Sequence, residues 1–160
     1  MKKTHRPSKT SEEDVPERAI VAGSNQRQPR LLLIEDHVSL AEVTAELLRL
    51  AGVEVWIAKS GTEALKMGTV VKPDIILCDM YLPDMSGLET GRALRANPDT
   101  KSAVFAIHTS MGASDIRMLE REVPAGEVDL FLPKPITEEL IEKLLASLAT
   151  KSKTATTGSI

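Results

Sequence analysis

Glu35 and Asp36 close one apolar run, LLLIED, and Asp79 closes another, DIILCD. Each run is short and unbroken, the pattern of a strand buried on both faces of a parallel sheet. The acids therefore fall at strand C-terminal tips, the edge outside which open α/β sheets bind ligands. A third run, DLFLPKP, brings Lys134 to the same edge. Two carboxylates about 4 Å apart repel by roughly 4 kcal/mol at an effective dielectric near 20, so three together need a cation or an ammonium group. Mg2+ suits such a set, because it takes hard oxygen ligands while keeping waters and phosphate oxygens around it. It would screen Asp79 and neutralise charge on a transferred phosphoryl group. Asp79 would be the nucleophile that forms an acyl phosphate, and Lys134 would hold a product oxygen as a point charge. Each acid alone reads more simply as a solvated strand end. The convergence of all four residues on one edge favours phosphoryl chemistry.

The elements that must position these residues alternate along the chain. Strands are expected at Leu31–Glu35, Val53–Ala58, Asp74–Asp79, Ala103–Thr109 and Leu130–Leu132. Helices are expected at Ser39–Ala51, from Ser60 to near Gly68, from Ser86 to before Asn97-Pro98, at Ala113–Glu122, and from Thr137 through Leu148. Ser39/Glu42, Ser60/Glu63 and Ser86/Glu89 have capping-box spacing, and Gly52 is a natural stop. Strict βα alternation predicts one parallel sheet covered on both faces.

The 160 residues are enough for one domain with a sizeable core. Residues 30–149 should form it, between polar segments at 1–29 and 150–160 that bury too little to order themselves. The first of these has one apolar patch, AIVAG at Ala19–Gly23. A net charge of −3, with both signs interspersed, argues against a broad nucleic-acid footprint. No apolar stretch approaches the roughly 20 residues of a membrane span, and no secretory h-region follows the basic N-terminus. A cytoplasmic chain is expected. The single Cys78 lies inside an apolar strand and reads as a small core filler.

LLLIEDH, CDMYLPDMSG and LPKP, in that order, resemble the receiver domain of bacterial response regulators. The resemblance spans about Arg30 to Leu148. It implies a flavodoxin-like, doubly wound (βα)5 fold with strand order 2-1-3-4-5. It implies Asp79 as phosphoacceptor, with Glu35, Asp36, Asp79 and the backbone carbonyl of Tyr81 as Mg2+ ligands. Lys134 matches the phosphoryl-contacting lysine, and Pro135 the cis proline that follows it. Thr109 falls at the offset of the hydroxyl residue that binds the phosphoryl group, with His108 or Ser110 as one-residue alternatives. Phe131 matches the aromatic whose rotamer follows phosphorylation, beside a plainer reading as a packed strand residue. Implied partners are a sensor histidine kinase or histidine phosphotransfer protein and a downstream protein target, with a phosphorylation-dependent dimer as a further option.

No effector domain is expected after the last helix, and no catalysis beyond the chain's own phosphoryl transfer and hydrolysis. The output is then protein contact, a phosphate relay, or service as the receiver of a hybrid histidine kinase. A phosphorylation-independent interaction module is the rival class. A phosphatase of the haloacid-dehalogenase type would need an acid two residues after the nucleophile, where Tyr81 stands. Neither a P-loop nor a dinucleotide fingerprint is present. His37 reads as a loop residue without a role, and Trp56 as half-buried on the second strand. Tyr81 flanks the pocket and could shield an acyl phosphate from water. The EVPAGEV stretch lengthens the route to the fifth strand.

Overall fold

A computed structural model describes residues 26–157. The elements are β1 (Arg30–Ile34), α1 (Val38–Leu50), β2 (Glu54–Ala58), α2 (Gly61–Val71), β3 (Ile75–Asp79), α3 (Gly87–Arg95), β4 (Val104–Thr109), α4 (Ala113–Glu122), β5 (Leu130–Pro133) and α5 (Glu138–Thr157). The strands form one parallel sheet in the order β2-β1-β3-β4-β5, the doubly wound arrangement expected. Trp56 is half-buried on β2.

Strand side chains alternate between two cores. Leu31, Leu33, Leu77 and Ala106 pack with Ala41, Ala45 and Leu48 of α1 and Ile141 and Leu144 of α5. Leu32, Ile34, Ile76, Cys78, Phe105 and Ile107 pack on the opposite face with Ala64 of α2 and Leu94 of α3. Cys78 is fully buried as expected, and burial together with Asp79 and Glu35 pushes its thiol far above the usual range. The thiol is therefore inert filler.

Several boundaries differ from the sequence pattern. Helix α1 starts at Val38 and is capped by His37, whose Nδ1 accepts from the Leu40 amide. The Ser39/Glu42 pair is thus inside the helix, and His37 has a structural role. Helix α2 continues past Gly68, which lies where a Cβ would come within 2.8 Å of Thr100 Cγ2. The helix stops instead at Lys72, in the left-handed region at φ 49°. The other two caps stand as read: Ser60 accepts from Glu63, and Ser86 and Glu89 bond reciprocally.

Helix α5 is the largest departure. It runs to Thr157, so the expected loose segment at 150–160 is helical over most of its length. Lys151 anchors the extension by donating to the Ala103 carbonyl at 2.9 Å and the Asp129 carboxylate at 3.1 Å. At the other end, residues 1–25 of the segment expected to be loose lie outside the described residues. Gln26–Pro29 lack regular structure, yet Arg27 forms a two-bond pair with Asp74 at 2.7 and 2.9 Å. Burial pushes the Asp74 carboxyl up, but Arg27 and the Arg30 amide outweigh it and hold the group below its ordinary value.

Candidate functional site

The apolar runs end in acids because the sheet stops there and water begins. Carboxylate oxygens of Glu35, Asp36 and Asp79 lie within 4.8 Å of one another at the C-terminal ends of β1 and β3. Glu35 is buried, Asp79 is half-buried and Asp36 is exposed. The Lys134 ammonium closes the cluster, 2.6 Å from Glu35 Oε2 and 3.1 Å from Asp79 Oδ2. Burial alone would push that amine down, but its bonds to Glu35 and Asp79 outweigh the desolvation and raise it above the usual lysine value. Lys134 is therefore charged at neutral pH, and it supplies the compensation that three crowded acids require.

The loop after β3 is fixed at its neck. The Gly87 amide donates to the Met80 carbonyl at 2.7 Å, and Tyr81 bridges Ser86. A Cβ on Gly87 would sit 2.3 Å from the Asp79 carbonyl oxygen, so only glycine permits this approach. The Tyr81 amide donates to Asp79 Oδ1 at 3.3 Å, and Tyr81 is 68% exposed. The Lys134-Pro135 peptide is cis, as the resemblance implied.

At the tip of β4 the three candidate positions separate. Thr109 is buried and its hydroxyl accepts from the Met111 amide at 3.2 Å. Ser110 is exposed beyond the strand. His108 is paired in register with Asp79 and faces the same side of the sheet. Its Nε2 is buried without a partner, and burial followed by the nearby Lys134 charge pushes the imidazole down to about 4. Sequence reasoning weighed His108 only as an alternative hydroxyl position. The signal that could have placed it is alternation: Val104, Ala106 and His108 share a face. Phe131 is half-buried against the α2–α3 core, the packing its plainer reading required.

The donor set fits Mg2+: three carboxylates converge, and one of them is open to solvent. Both Glu35 oxygens already have partners, Oε1 the His37 amide at 3.1 Å and Oε2 Lys134. Both Asp79 oxygens are engaged as well, Oδ1 by the Tyr81 amide and Oδ2 by Lys134, so the exposed Asp36 is the acid most accessible to an incoming cation.

An acidic triad and lysine on the edge of a 2-1-3-4-5 sheet define a receiver architecture. Residues 31–146 match the family described as the response regulator receiver domain, and the chain belongs to that family. It is 34% identical over 133 residues to the transcriptional regulatory protein PrrA of Mycobacterium tuberculosis, covering 82% of this chain and 54% of PrrA. The chain thus spans about half the length of that relative. It is 38% identical over 68 residues to the DNA-binding response regulator MtrA of the same species, covering 42% of this chain and 30% of MtrA. Among solved structures, the CheY-like receiver domain from Methylobacillus flagellatus superposes with a TM-score of 0.65 at 29% identity, covering 76% of this chain and 98% of that one. The chemotaxis regulator CheY4 of Vibrio cholerae gives a TM-score of 0.65 at 26% identity, with the same coverage. Proteins named as transcriptional and DNA-binding regulators thus contain this domain, so an expectation of no nucleic acid does not extend to the family. Among the described residues, no helix is long and apolar enough to cross a membrane.

Proposed function

We propose that this chain is a phosphoacceptor switch that takes a phosphoryl group from a histidine kinase or phosphotransfer protein onto Asp79. The observation that carries the reading is the Lys134 ammonium, held against Asp79 beside the Glu35–Asp36 pair. An Asp79 oxygen attacks phosphorus, the P–N bond to the donor imidazole breaks, and that imidazole leaves with the electron pair. Glu35, Asp36, Asp79 and the Tyr81 carbonyl would hold Mg2+, which when bound neutralises charge on the transferred oxygens. Lys134 gives up part of its bonding to the carboxylates and pairs with a phosphoryl oxygen.

Phosphorylation adds close to two negative charges at the pocket. The Thr109 hydroxyl, at the tip of β4, would turn from the Met111 amide toward that oxyanion. Lys134 and Thr109 would move together, because the Lys134 amide donates to the Thr109 carbonyl at 2.7 Å. Phe131 on β5 would follow and change the surface offered to a downstream protein, or to a second copy. Such a switch requires two states within a few kcal/mol of one another. We assign no turnover beyond the chain's own phosphorylation and hydrolysis, and place its action in the cytoplasm. The DNA binding stated in the name of MtrA is a property of that longer protein, of which this chain matches 30%.

Incubation with acetyl phosphate and Mg2+, followed by intact mass, tests the reading. A gain of about 80 Da is expected, absent from Asp79→Ala. No gain in the wild type would leave the interaction-module reading in its place.

A further inference from the structure

The loop after β3 carries a second acid, Asp84, which the phosphoacceptor chemistry does not use. Its carboxylate leaves its own loop and receives the first two amides of α2: Gly61 at 2.9 Å and Thr62 at 2.8 Å. The Thr62 hydroxyl adds a third bond at 2.6 Å. These bonds, led by the Thr62 hydroxyl, depress the Asp84 carboxyl to about 2, so it is ionised under all ordinary conditions.

Helix α2 does not need this cap from its own sequence alone, since Ser60 already accepts from Glu63 at 3.1 Å. Asp84 takes the amides that Ser60 leaves free, and takes them from across the fold. The contact is tight as well as polar. A Cβ on Gly61 would meet Met85 Cγ at 2.5 Å and Thr90 Oγ1 at 2.7 Å, so the first residue of α2 is wedged between the loop and α3.

The loop is thus held at both ends. Gly87 fixes its neck against Asp79 and Met80, and Asp84 fixes its far side to α2. Between these two anchors lies Tyr81, whose amide bonds Asp79.

Resting on the phosphoacceptor reading above, we infer that Asp84 is a positioning residue: by tying the loop to the start of α2, it sets the Tyr81 backbone against Asp79 and preorganises the pocket for a divalent cation. Charge-assisted bonds to a helix N-terminus suit this task, because they are short and directional.

The test separates positioning from simple helix capping. Asp84→Ala and Ser60→Ala each remove a cap from α2, but only the first releases the loop. Mg2+ titrated calorimetrically into full-length protein should bind about tenfold more weakly to Asp84→Ala, a change of about 1.4 kcal/mol. Ser60→Ala should bind as the wild type does. In metal-free protein, amide exchange at Met80, Tyr81 and Leu82 should rise in Asp84→Ala and not in Ser60→Ala. Asp84→Asn keeps one acceptor oxygen and should fall between, and it carries the test if the alanine variant does not fold. Wild-type Mg2+ affinity in both Asp84 variants, or equal loss in Ser60→Ala, would overturn the inference. A wild type that binds no Mg2+ would overturn the phosphoacceptor reading itself, a separable outcome because the exchange measurement uses no metal.

Discussion

The Lys134 ammonium lies 2.6 Å from the Glu35 carboxylate, 99 positions earlier in the chain. The two residues directly follow β1 and β5, with β3 and β4 between those strands. Lys134 therefore spans the sheet edge, passing the end of β4 to reach Glu35 and Asp79. Its side chain is 14% exposed and that of Glu35 only 4%. Removing one partner of a buried pair is far costlier than the pair's net worth, because the other charge stays behind.

Lys134→Met should accordingly lose about 3 kcal/mol of unfolding free energy in metal-free buffer. Saturating Mg2+ should restore part of that loss, since a cation again faces Glu35 and Asp79. Urea unfolding with and without Mg2+ measures both numbers. A loss under about 0.5 kcal/mol, the range of an ordinary surface substitution, would show that the amine is not holding the acids together.

The converse holds for Asp79→Asn. With one charge of the cluster removed, Glu35 keeps Lys134 and Asp36 meets less repulsion. The melting temperature without metal should rise by about 2–4 °C, on the order of 1 kcal/mol for a domain of this size. Mg2+ should then stabilise the wild type more than the variant. Equal Mg2+ shifts in the two proteins would remove the pocket's repulsion from the account.

His108 gives the fold a pH dependence of its own. Its imidazole is 2% exposed and depressed from 6.5 to about 4, first by burial and then by Lys134. The native state therefore holds it neutral, while the unfolded chain takes up a proton near 6.5. The associated stability is complete above pH 6.5, drains as pH falls toward 4, and is gone below that. A depression of that size corresponds to about 3 kcal/mol at 1.36 kcal/mol per pH unit. His108→Leu should show a flatter fall in stability than the wild type between pH 6.5 and 4, measured by urea midpoints in metal-free buffer. Parallel curves would place the wild type's acid sensitivity on the carboxylates alone.

The sheet was legible because its signal is local. Each buried strand is a run of apolar residues such as LLLI or DIILC, and each acid sits where that run meets water. The pocket was legible for the same reason: Glu35, Asp36, Asp79 and Lys134 are strand-end residues, and parallel topology puts strand ends together. What stayed hidden depends on contacts between distant segments. Asp84 caps a helix that begins 23 positions earlier, and nothing in PDMSG states that. The extension of α5 rests on Lys151 finding Ala103 and Asp129, whereas the local KSKTATT sequence is polar and poor in apolar periodicity. Helix α1 began early because a histidine ring nitrogen did the work assigned to a serine hydroxyl.

Tyr81 allows the side-chain and backbone contributions of one residue to be separated. Its amide bonds Asp79, and its carbonyl is the ligand expected to face Mg2+, so both survive a change of side chain. Tyr81 is 68% exposed, and its ring is expected to limit the approach of water to an acyl phosphate on Asp79. Tyr81→Ala should bind Mg2+ with unchanged affinity and accept phosphate from acetyl phosphate. Its acyl phosphate should hydrolyse roughly tenfold faster, equivalent to about 1.4 kcal/mol of barrier. Phos-tag electrophoresis after removal of the donor gives the half-life directly. Wild-type decay would mean that the ring does not cover the acyl phosphate, while weakened Mg2+ binding would mean that the ring, and not only the loop's two anchors, shapes the backbone beneath it.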